Sequence, residues 1–465
     1  MKEKPPGLKV LFVSSEVSPF SKTGGLADVS GSLPLALHRL GVDVRVVTPR
    51  YKCVKTFGNE ARLNDSVPVY FIENERYFMR DGLYGGKDGD YEDNFERFIF
   101  FSNSLLGMLK DIDFKPDIVH CNDWQTGLIP VYLKEIFGSD PFYKKIKTVF
   151  TVHNIGYQGI FPKEEFYKIG LSWDYFTMRG LEFYDAVNLL KGGLVFSDFI
   201  TTVSPTYAKE IQTPEFAYGL EGVLLEKKDS LLGIINGIDY NEWNPSKDKE
   251  LKFHFSATKL EGKYKNKLAL QREMGLETDI DIPLIGIISR LADQKGLDLI
   301  AKIIRPVLKQ GAQFIILGTG DEKYHILFDR MSGKFRKKVS VNLRFDALLA
   351  KKIYAGADMF LMPSRYEPCG LGQIISLRYG TIPIARKTGG LADTITAYDP
   401  VGFSGNGFIF ERYASADLLK TISNALNMYK QKKVWAKLVS NAMRCDFSWD
   451  ASAAKYLELY KEILR

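Results

Sequence analysis

Two α/β domains, each a parallel sheet covered on both faces by helices, are what this sequence predicts, on three observations. Short β-branched runs alternate with helical spacing through the first half, which is the pattern of strand–helix–strand units. The pattern stops in the polar, lysine-rich stretch 241–267 and then restarts. A seven-residue string, Lys22-Thr-Gly-Gly-Leu-Ala-Asp28, recurs whole as Lys387-Thr-Gly-Gly-Leu-Ala-Asp393, once near each end. The expected division is 1–240, a linker at 241–267, a second domain at 268–445, and a final helix at 446–465 that returns to the first domain. Ligands of such sheets bind outside the carboxyl ends of the strands, so a cleft between the domains is expected.

Taken in order, the first-half strands are expected at 9–14, 43–48, 118–121, 148–152, 199–203 and 233–235, with helices at 127–137 and 181–196. Pro34 interrupts the first helical pattern and, with Ser32 as a cap, predicts the start of a second helix there. The second half predicts strands at 284–289, 314–317, 339–343, 359–362, 382–385 and 407–410. Helices are expected at 297–309, 347–355, 416–442 and 451–464.

Composition narrows the function. The 465 residues, 45% hydrophobic and 26% charged, are those of an ordinary globular protein with room for two or three domains. A net charge of +7, spread over scattered lysines, suits anionic small molecules. It forms no basic stripe of the kind that binds nucleic acid. Cys53, Cys121, Cys369 and Cys445 are far apart, which argues against a zinc site or a disulfide frame and fits a reducing compartment. The apolar run after Lys9 breaks at Ser14-Ser15-Glu16, and no stretch is long enough to span a bilayer. Cytoplasm without membrane attachment is therefore expected.

Each copy of the repeated string follows an apolar run, Val10-Leu-Phe-Val13 or Ile382-Pro-Ile-Ala385, and opens into helical spacing. Glycines at such a turn either let backbone N–H groups face an anion at a helix N-terminus or merely satisfy the turn's geometry. Lys22 and Lys387 add a positive charge ahead of each pair. No phosphate-binding loop with Gly-Lys-Ser/Thr is present, and the nearest approach to a dinucleotide fingerprint is Gly318-Thr-Gly320. Asp88-Gly-Asp90 resembles a metal-holding pair, but Asp111-x-Asp113 and Asp279-x-Asp281 repeat the pattern, so solvated loop carboxylates are the reading preferred.

Polar residues gather just after expected strands. In the first half they are Asp123-Trp124 and His153-Asn154. In the second they are Arg290 with Lys295, and Arg365-Tyr-Glu367-Pro-Cys-Gly370-Leu. A cation pair five apart, bridging a strand end and a helix start, suits a diphosphate gripped from two sides, or a solvated face. Glu367 reads either as a helix cap or as an acceptor for ligand hydroxyls. His153 alone reads equally as a structural histidine.

With these residues in view the chain resembles a known family. Lys22-Thr-Gly-Gly-Leu, His153-Asn154, Asn236-Gly-Ile-Asp239, Ser289-Arg290-Leu with Gln294-Lys295-Gly296, Pro363-Ser-Arg-Tyr-Glu-Pro-Cys-Gly-Leu371 and Arg378-Tyr-Gly380 look like the bacterial glycogen synthases and plant starch synthases. These are retaining glucosyltransferases of the GT-B fold, two Rossmann-like domains about a cleft. The resemblance runs from about Lys9 to the last helix. It implies transfer of glucose from ADP-glucose or UDP-glucose to the non-reducing end of an α-1,4-glucan such as glycogen, with no metal or other cofactor. The residues read above do not choose between the two nucleotides.

By the same resemblance Arg290, Lys295, Glu367 and His153 are the catalytic set. Lys22, Gly24, Gly25, Cys369, Gly370, Leu371, Thr388 and Gly389 join Arg290, Lys295 and Glu367 around the donor. Asp123 and Asn154 lie on the acceptor side, and Asp28 and Asn236 complete the cleft. Two departures stand out: many members have threonine where this chain has Gly372, and several have histidine where it has Gln125. A non-catalytic glucan-binding protein, a glucan phosphorylase and another nucleotide-sugar transferase are the rival readings.

Overall fold

In a computed structural model, which describes residues 7–56, 58–86 and 89–465, the chain divides into two units. The first holds residues up to Gly237 together with Trp449–Arg465; the second is Ile238–Ser448.

The first unit is built on eight strands: β1 (Lys9–Val13), β2 (Asp43–Pro49), β3 (Glu60–Leu63), β4 (Val67–Ile72), β5 (Ile118–Asn122), β6 (Lys147–Val152), β7 (Phe199–Thr202) and β8 (Leu231–Gly233). Their order is β8-β7-β6-β5-β1-β2-β4-β3. Every neighbouring pair is parallel except β3 and β4, an antiparallel edge. Sequence periodicity missed that hairpin. Its turn carries the signal that would have found it, since Asn64 and Asp65 both take positive φ, 43° and 55°, as a tight hairpin demands. The last strand lies at 231–233, earlier than the 233–235 expected. The helix expected over 181–196 forms only at Leu189–Phe196, because residues 182–188 are used by a small antiparallel sheet.

Helix α1 (Gly25–Arg39) runs straight through Pro34, where a second helix was expected to start. Ala27, Val29, Leu33, Ala36 and Leu37 on both sides of the proline are buried. Burying a side chain of valine or leucine size stabilises by about 1.5–3 kcal/mol, so this face outweighs the one hydrogen bond that proline removes.

The C-terminal helix, Trp449–Ile463, belongs to the first unit. Tyr456 and Tyr460 are buried. The Tyr460 hydroxyl meets Nδ1 of buried His120 at 2.6 Å, and His120 Nε2 meets Thr151 Oγ1 at 2.5 Å. Ser452 donates to the Ile235 carbonyl at 2.6 Å. Burial pushes the His120 imidazole down to about 3, so it is neutral in the core.

The second unit has six strands, all parallel: β9 (Leu284–Ile288), β10 (Gln313–Leu317), β11 (Val339–Asn342), β12 (Met359–Met362), β13 (Ile382–Arg386) and β14 (Phe408–Phe410). Their order is β11-β10-β9-β12-β13-β14. The polar stretch 241–267, read as a linker, falls inside this unit, and from Glu261 it is helical (Glu261–Glu273). Two of its lysines, Lys263 and Lys267, are buried, which the composition did not show. Lys263 Nζ donates to the carbonyls of Ala355 and Tyr379 and to Thr381 Oγ1. Lys267 pairs with Asp358 at 2.7 Å, both side chains buried. The single helix expected at 416–442 is two, Ser415–Tyr429 and Lys432–Met443.

Both sheets reverse their order beside their first strand, between β1 and β5 in one and between β9 and β12 in the other. Open α/β sheets bind ligands outside the strand ends at such points. Tyr460→Phe, which leaves His120 Nδ1 without its hydroxyl, is expected to lower unfolding free energy by about 1–2 kcal/mol in urea denaturation; a parental midpoint would show that the bond contributes nothing.

Candidate functional site

In the first unit the loop after β1 carries Glu16 into the turn before α1. Gly24, the N-cap, has no side chain, so no local group caps the helix. Glu16 does so from outside. Its Oε2 accepts from the N–H groups of Thr23 at 2.5 Å and Gly24 at 3.2 Å, and its Oε1 accepts from Thr23 Oγ1 at 2.6 Å and the Tyr84 hydroxyl at 2.8 Å. The first glycine turn, expected as an anion cradle, thus holds an anion of its own. Lys22 Nζ pairs with Asp28 at 2.5 Å and is half exposed.

After β5, Asp123 takes φ 58° and ψ 177°, a conformation nearly confined to glycine that costs of order 1–3 kcal/mol. The strain brings its Oδ1 within 2.7 Å of the His153 N–H. Burial drives the Asp123 carboxyl up to about 7, with the backbone N–H groups of His153 and Asn154 pulling it back. Asn122 donates to the Val13 carbonyl at 2.9 Å, so its Oδ1 is what meets His153 Nε2, also at 2.9 Å. That fixes the proton on Nε2. Burial lowers the imidazole to about 3, leaving it uncharged at neutral pH. Asn154 accepts from the Gly156 N–H at 3.0 Å. Asn236 is buried with its side-chain carbonyl oxygen unpaired among the described residues. Gln125 is buried in the same condition.

Beside Trp124 lies a cavity of ≈ 600 Å³ walled by Tyr91, Trp124, Tyr157, Phe161 and Tyr218, with Asn94 and Gln158 among its polar groups. Asp90 also faces it, whereas Asp88 lies outside the described residues. No cluster of three or more metal-ligating side chains occurs among the described residues.

In the second unit Lys295 follows β9 and Glu367 follows β12. Lys295 Nζ bridges both oxygens of Glu367, at 3.0 and 2.7 Å, with Ser364 Oγ donating to Oε2 at 3.0 Å. The Glu367 side chain is 7% exposed and that of Lys295 18%. Arg290 is exposed, its guanidinium 3.5 Å from Gln294 Oε1. The turn from Glu367 to Leu371 lies against the second glycine pair. The Gly390 N–H donates to the carbonyls of Glu367 and Pro368, both at 3.1 Å. A Cβ on Gly389 would stand 2.0 Å from the Glu367 carbonyl oxygen, and one on Gly390 2.1 Å from that of Cys369. Buried Gln373 ties down the carbonyls of Cys369 and Gly370, each at 2.9 Å. Thr388 is buried at the head of this turn. A Cβ on Gly372 would stand 3.0 Å from the Phe360 ring, so a larger side chain there must move that ring.

Sequence reasoning thus found the strand-end residues but missed Glu16, Tyr84, Asn122 and Ser364. Asn122 is adjacent to a residue singled out, and Glu16 was read only as the end of an apolar run. Tyr84 carried no signal, since it acts from a loop far along the chain.

Residues 9–226 match the family model described as the starch synthase catalytic domain, and residues 276–441 match glycosyl transferases group 1. A glycogen synthase of Geotalea uraniireducens is 48% identical over 98% of this chain and 98% of its own length. One of Thermosipho melanesiensis is 48% identical over 98% and 99%. The chain belongs to the glycogen synthase family of glycosyltransferases. Within that family, the solved catalytic domain of starch synthase IV from Arabidopsis thaliana, bound to ADP and acarbose, has a TM-score of 0.90 at 35% identity, covering 99% of this chain and 100% of that one. The two Rossmann-like parallel sheets of this chain are those of the GT-B fold.

The two glycine pairs differ in a measurable way. Gly24→Ala meets nothing within 4 Å and is expected to change stability by under about 0.5 kcal/mol. Gly390→Ala must move the Cys369 turn and is expected to cost about 1–3 kcal/mol; equal midpoints in denaturant would refute the distinction. Asp123 supplies a second test. Its folded-state pKa, about 7, lies above the unfolded value of about 3.9, so the folded chain binds the extra proton and loses stability as pH rises through that window. Asp123→Asn removes this loss, and its stability relative to the parent should improve from pH 5 to pH 7. A pH-independent difference would contradict the shift.

Proposed function

We propose that this glycosyltransferase moves glucose from ADP-glucose to the non-reducing end of an α-1,4-glucan with retention of configuration. The observation that carries the reading is the Lys295–Glu367 pair at the switch point of the second sheet. It sets a cation for a leaving phosphate beside a carboxylate for sugar hydroxyls, both shielded from water. Negative charge grows on the diphosphate as the glycosidic bond breaks. Fixed cations at Arg290 and Lys295 therefore stabilise the transition state more than the ground state. Lys22, with Gly25 at the helix start, supplies a further contact for phosphate.

Glu367 releases part of its hold on Lys295 to accept from glucose hydroxyls. The backbone from Cys369 to Leu371, with Thr388 and Gly389, completes the donor contacts. His153, neutral and with its tautomer set by Asn122, acts as a hydrogen-bonding group beside the sugar and not as an acid. Asp123 and Asn154 shape the acceptor side, and Asp28 and Asn236 frame the approach. The aromatic cavity beside Trp124 suits a glucan, whose rings present C–H faces to aromatic planes.

ADP-glucose is preferred over UDP-glucose because the plant starch synthase was solved with ADP. A cytoplasmic setting agrees with four free cysteines; no helix among the described residues is long and apolar enough to cross a membrane.

Incubation with ADP-glucose and UDP-glucose in competition, with a short maltooligosaccharide as acceptor, is expected to lengthen the chain with ADP release predominating. Lys295→Ala and Arg290→Ala should each lower kcat by about 10²-fold or more while keeping the parental circular dichroism. Near-parental turnover in both would remove the leaving-group argument, and elongation driven by free sugar phosphate would favour a phosphorylase.

A further inference from the structure

Glu16 is 3% exposed, yet among the described residues no lysine or arginine pairs with it. All of its compensation comes from four neutral donors: the N–H groups of Thr23 and Gly24, and the hydroxyls of Thr23 and Tyr84. Both flanks of the arrangement are anchored. On one side Ser14 Oγ donates to the Glu16 carbonyl at 2.8 Å and receives Ser30 Oγ of α1, also at 2.8 Å. On the other, Tyr84 is held by its own backbone, since Asn94 Nδ2 donates to the Tyr84 carbonyl at 2.8 Å. Arg97, fully buried, donates to the neighbouring Leu83 carbonyl at 2.9 Å and to Asn94 Oδ1 at 2.6 Å. A buried guanidinium spent on carbonyls is costly unless it fixes something. Here it fixes the loop that delivers Tyr84.

We propose that Glu16 is a positioning residue for the donor: it occupies the Thr23 and Gly24 N–H groups as a built-in anion, pinned there by Tyr84, and so sets the turn that presents Lys22 to a nucleoside diphosphate. This rests on the reading of Lys22 given above. The physical logic is preorganisation. Left without an acceptor, the two N–H groups would turn to water or to the phosphates, and the lysine one residue earlier would lose its fixed origin. With Glu16 in place the turn is already satisfied, and the exposed ammonium beside Asp28 is the group it offers outward.

The donor set makes the role separable from charge. Oε2 faces two rigid backbone N–H groups, whereas Oε1 faces two hydroxyls that can rotate to accept. A glutamine can therefore keep its oxygen on the backbone pair and turn its NH2 toward the hydroxyls. Steady-state kinetics on the full chain, varying nucleotide-glucose and maltooligosaccharide separately, test the proposal. Glu16→Ala is expected to raise KM for the nucleotide sugar about tenfold while KM for the glucan stays near parental, and Glu16→Gln should recover most of that loss. Tyr84→Phe, which leaves the carboxylate and turn intact, should raise the donor KM about threefold.

A parental donor KM in Glu16→Ala, or an equal rise in both KM values, would overturn the proposal. So would a Glu16→Gln as impaired as the alanine variant, because charge and not geometry would then be acting. Should Glu16→Ala fail to fold, an unchanged donor KM in Tyr84→Phe overturns it alone. Lys22→Ala separates the two levels of argument. If it leaves donor KM unchanged, the reading of Lys22 fails and this inference falls with it. If it weakens the donor while the Glu16 and Tyr84 variants do not, only this inference fails.

Discussion

A carboxylate taken out of water must be ringed by donors, because an unpaired buried charge costs several kcal/mol. Each unit of this protein is organised around one such group at the switch point of its sheet. In the first, Glu16 gathers the turn before α1, the hydroxyl of Thr23 and the loop that carries Tyr84. In the second, Glu367 gathers Lys295 and Ser364, while its own backbone carbonyl receives the second glycine turn. The strand-end loops are thereby set by protein groups alone. Positions fixed in this way lower the ordering that binding at such a place would require.

The repeated seven-residue string shows how neighbours decide what a motif does. In the first copy Gly24 opens onto space, and the turn's donors are taken by a side chain from the preceding loop. In the second, Gly389 and Gly390 are pressed against the carbonyls of the Glu367 turn, so the absence of a Cβ is itself the requirement. Local conformation is similar, strand into glycine turn into helix. The reason for glycine is steric at Gly389 and Gly390, whereas Gly24 has open space around it.

Electrostatics at the strand ends follows burial more than charge pairing. His153 is held neutral by its surroundings and its tautomer by Asn122, while Asp123 is driven upward in pKa by the same shielding. Lys295 is already largely out of water and matched by Glu367. In surroundings of low dielectric, an anion interacts with such an ammonium more strongly than it would in bulk solvent.

The strand pattern, the two-sheet architecture and the family were legible in the amino-acid order, because β-branched runs and strand-end motifs are local signals that survive without neighbours. So was the placement of Asp123, His153, Arg290, Lys295 and Glu367 after strands, since they sit next to such runs. Three things depended on distant contacts and left no local trace. Helix α1 passes through Pro34 because its buried face outweighs one missing bond. Residues 261–267 look like a linker because their buried lysines find carbonyls and Asp358 only after folding. Glu16 becomes a cap only when Tyr84, 68 residues away, closes on it. Chain order determined which chemistry was present; packing decided which donors were left for a ligand, since a buried polar group takes whatever partner the fold brings within reach.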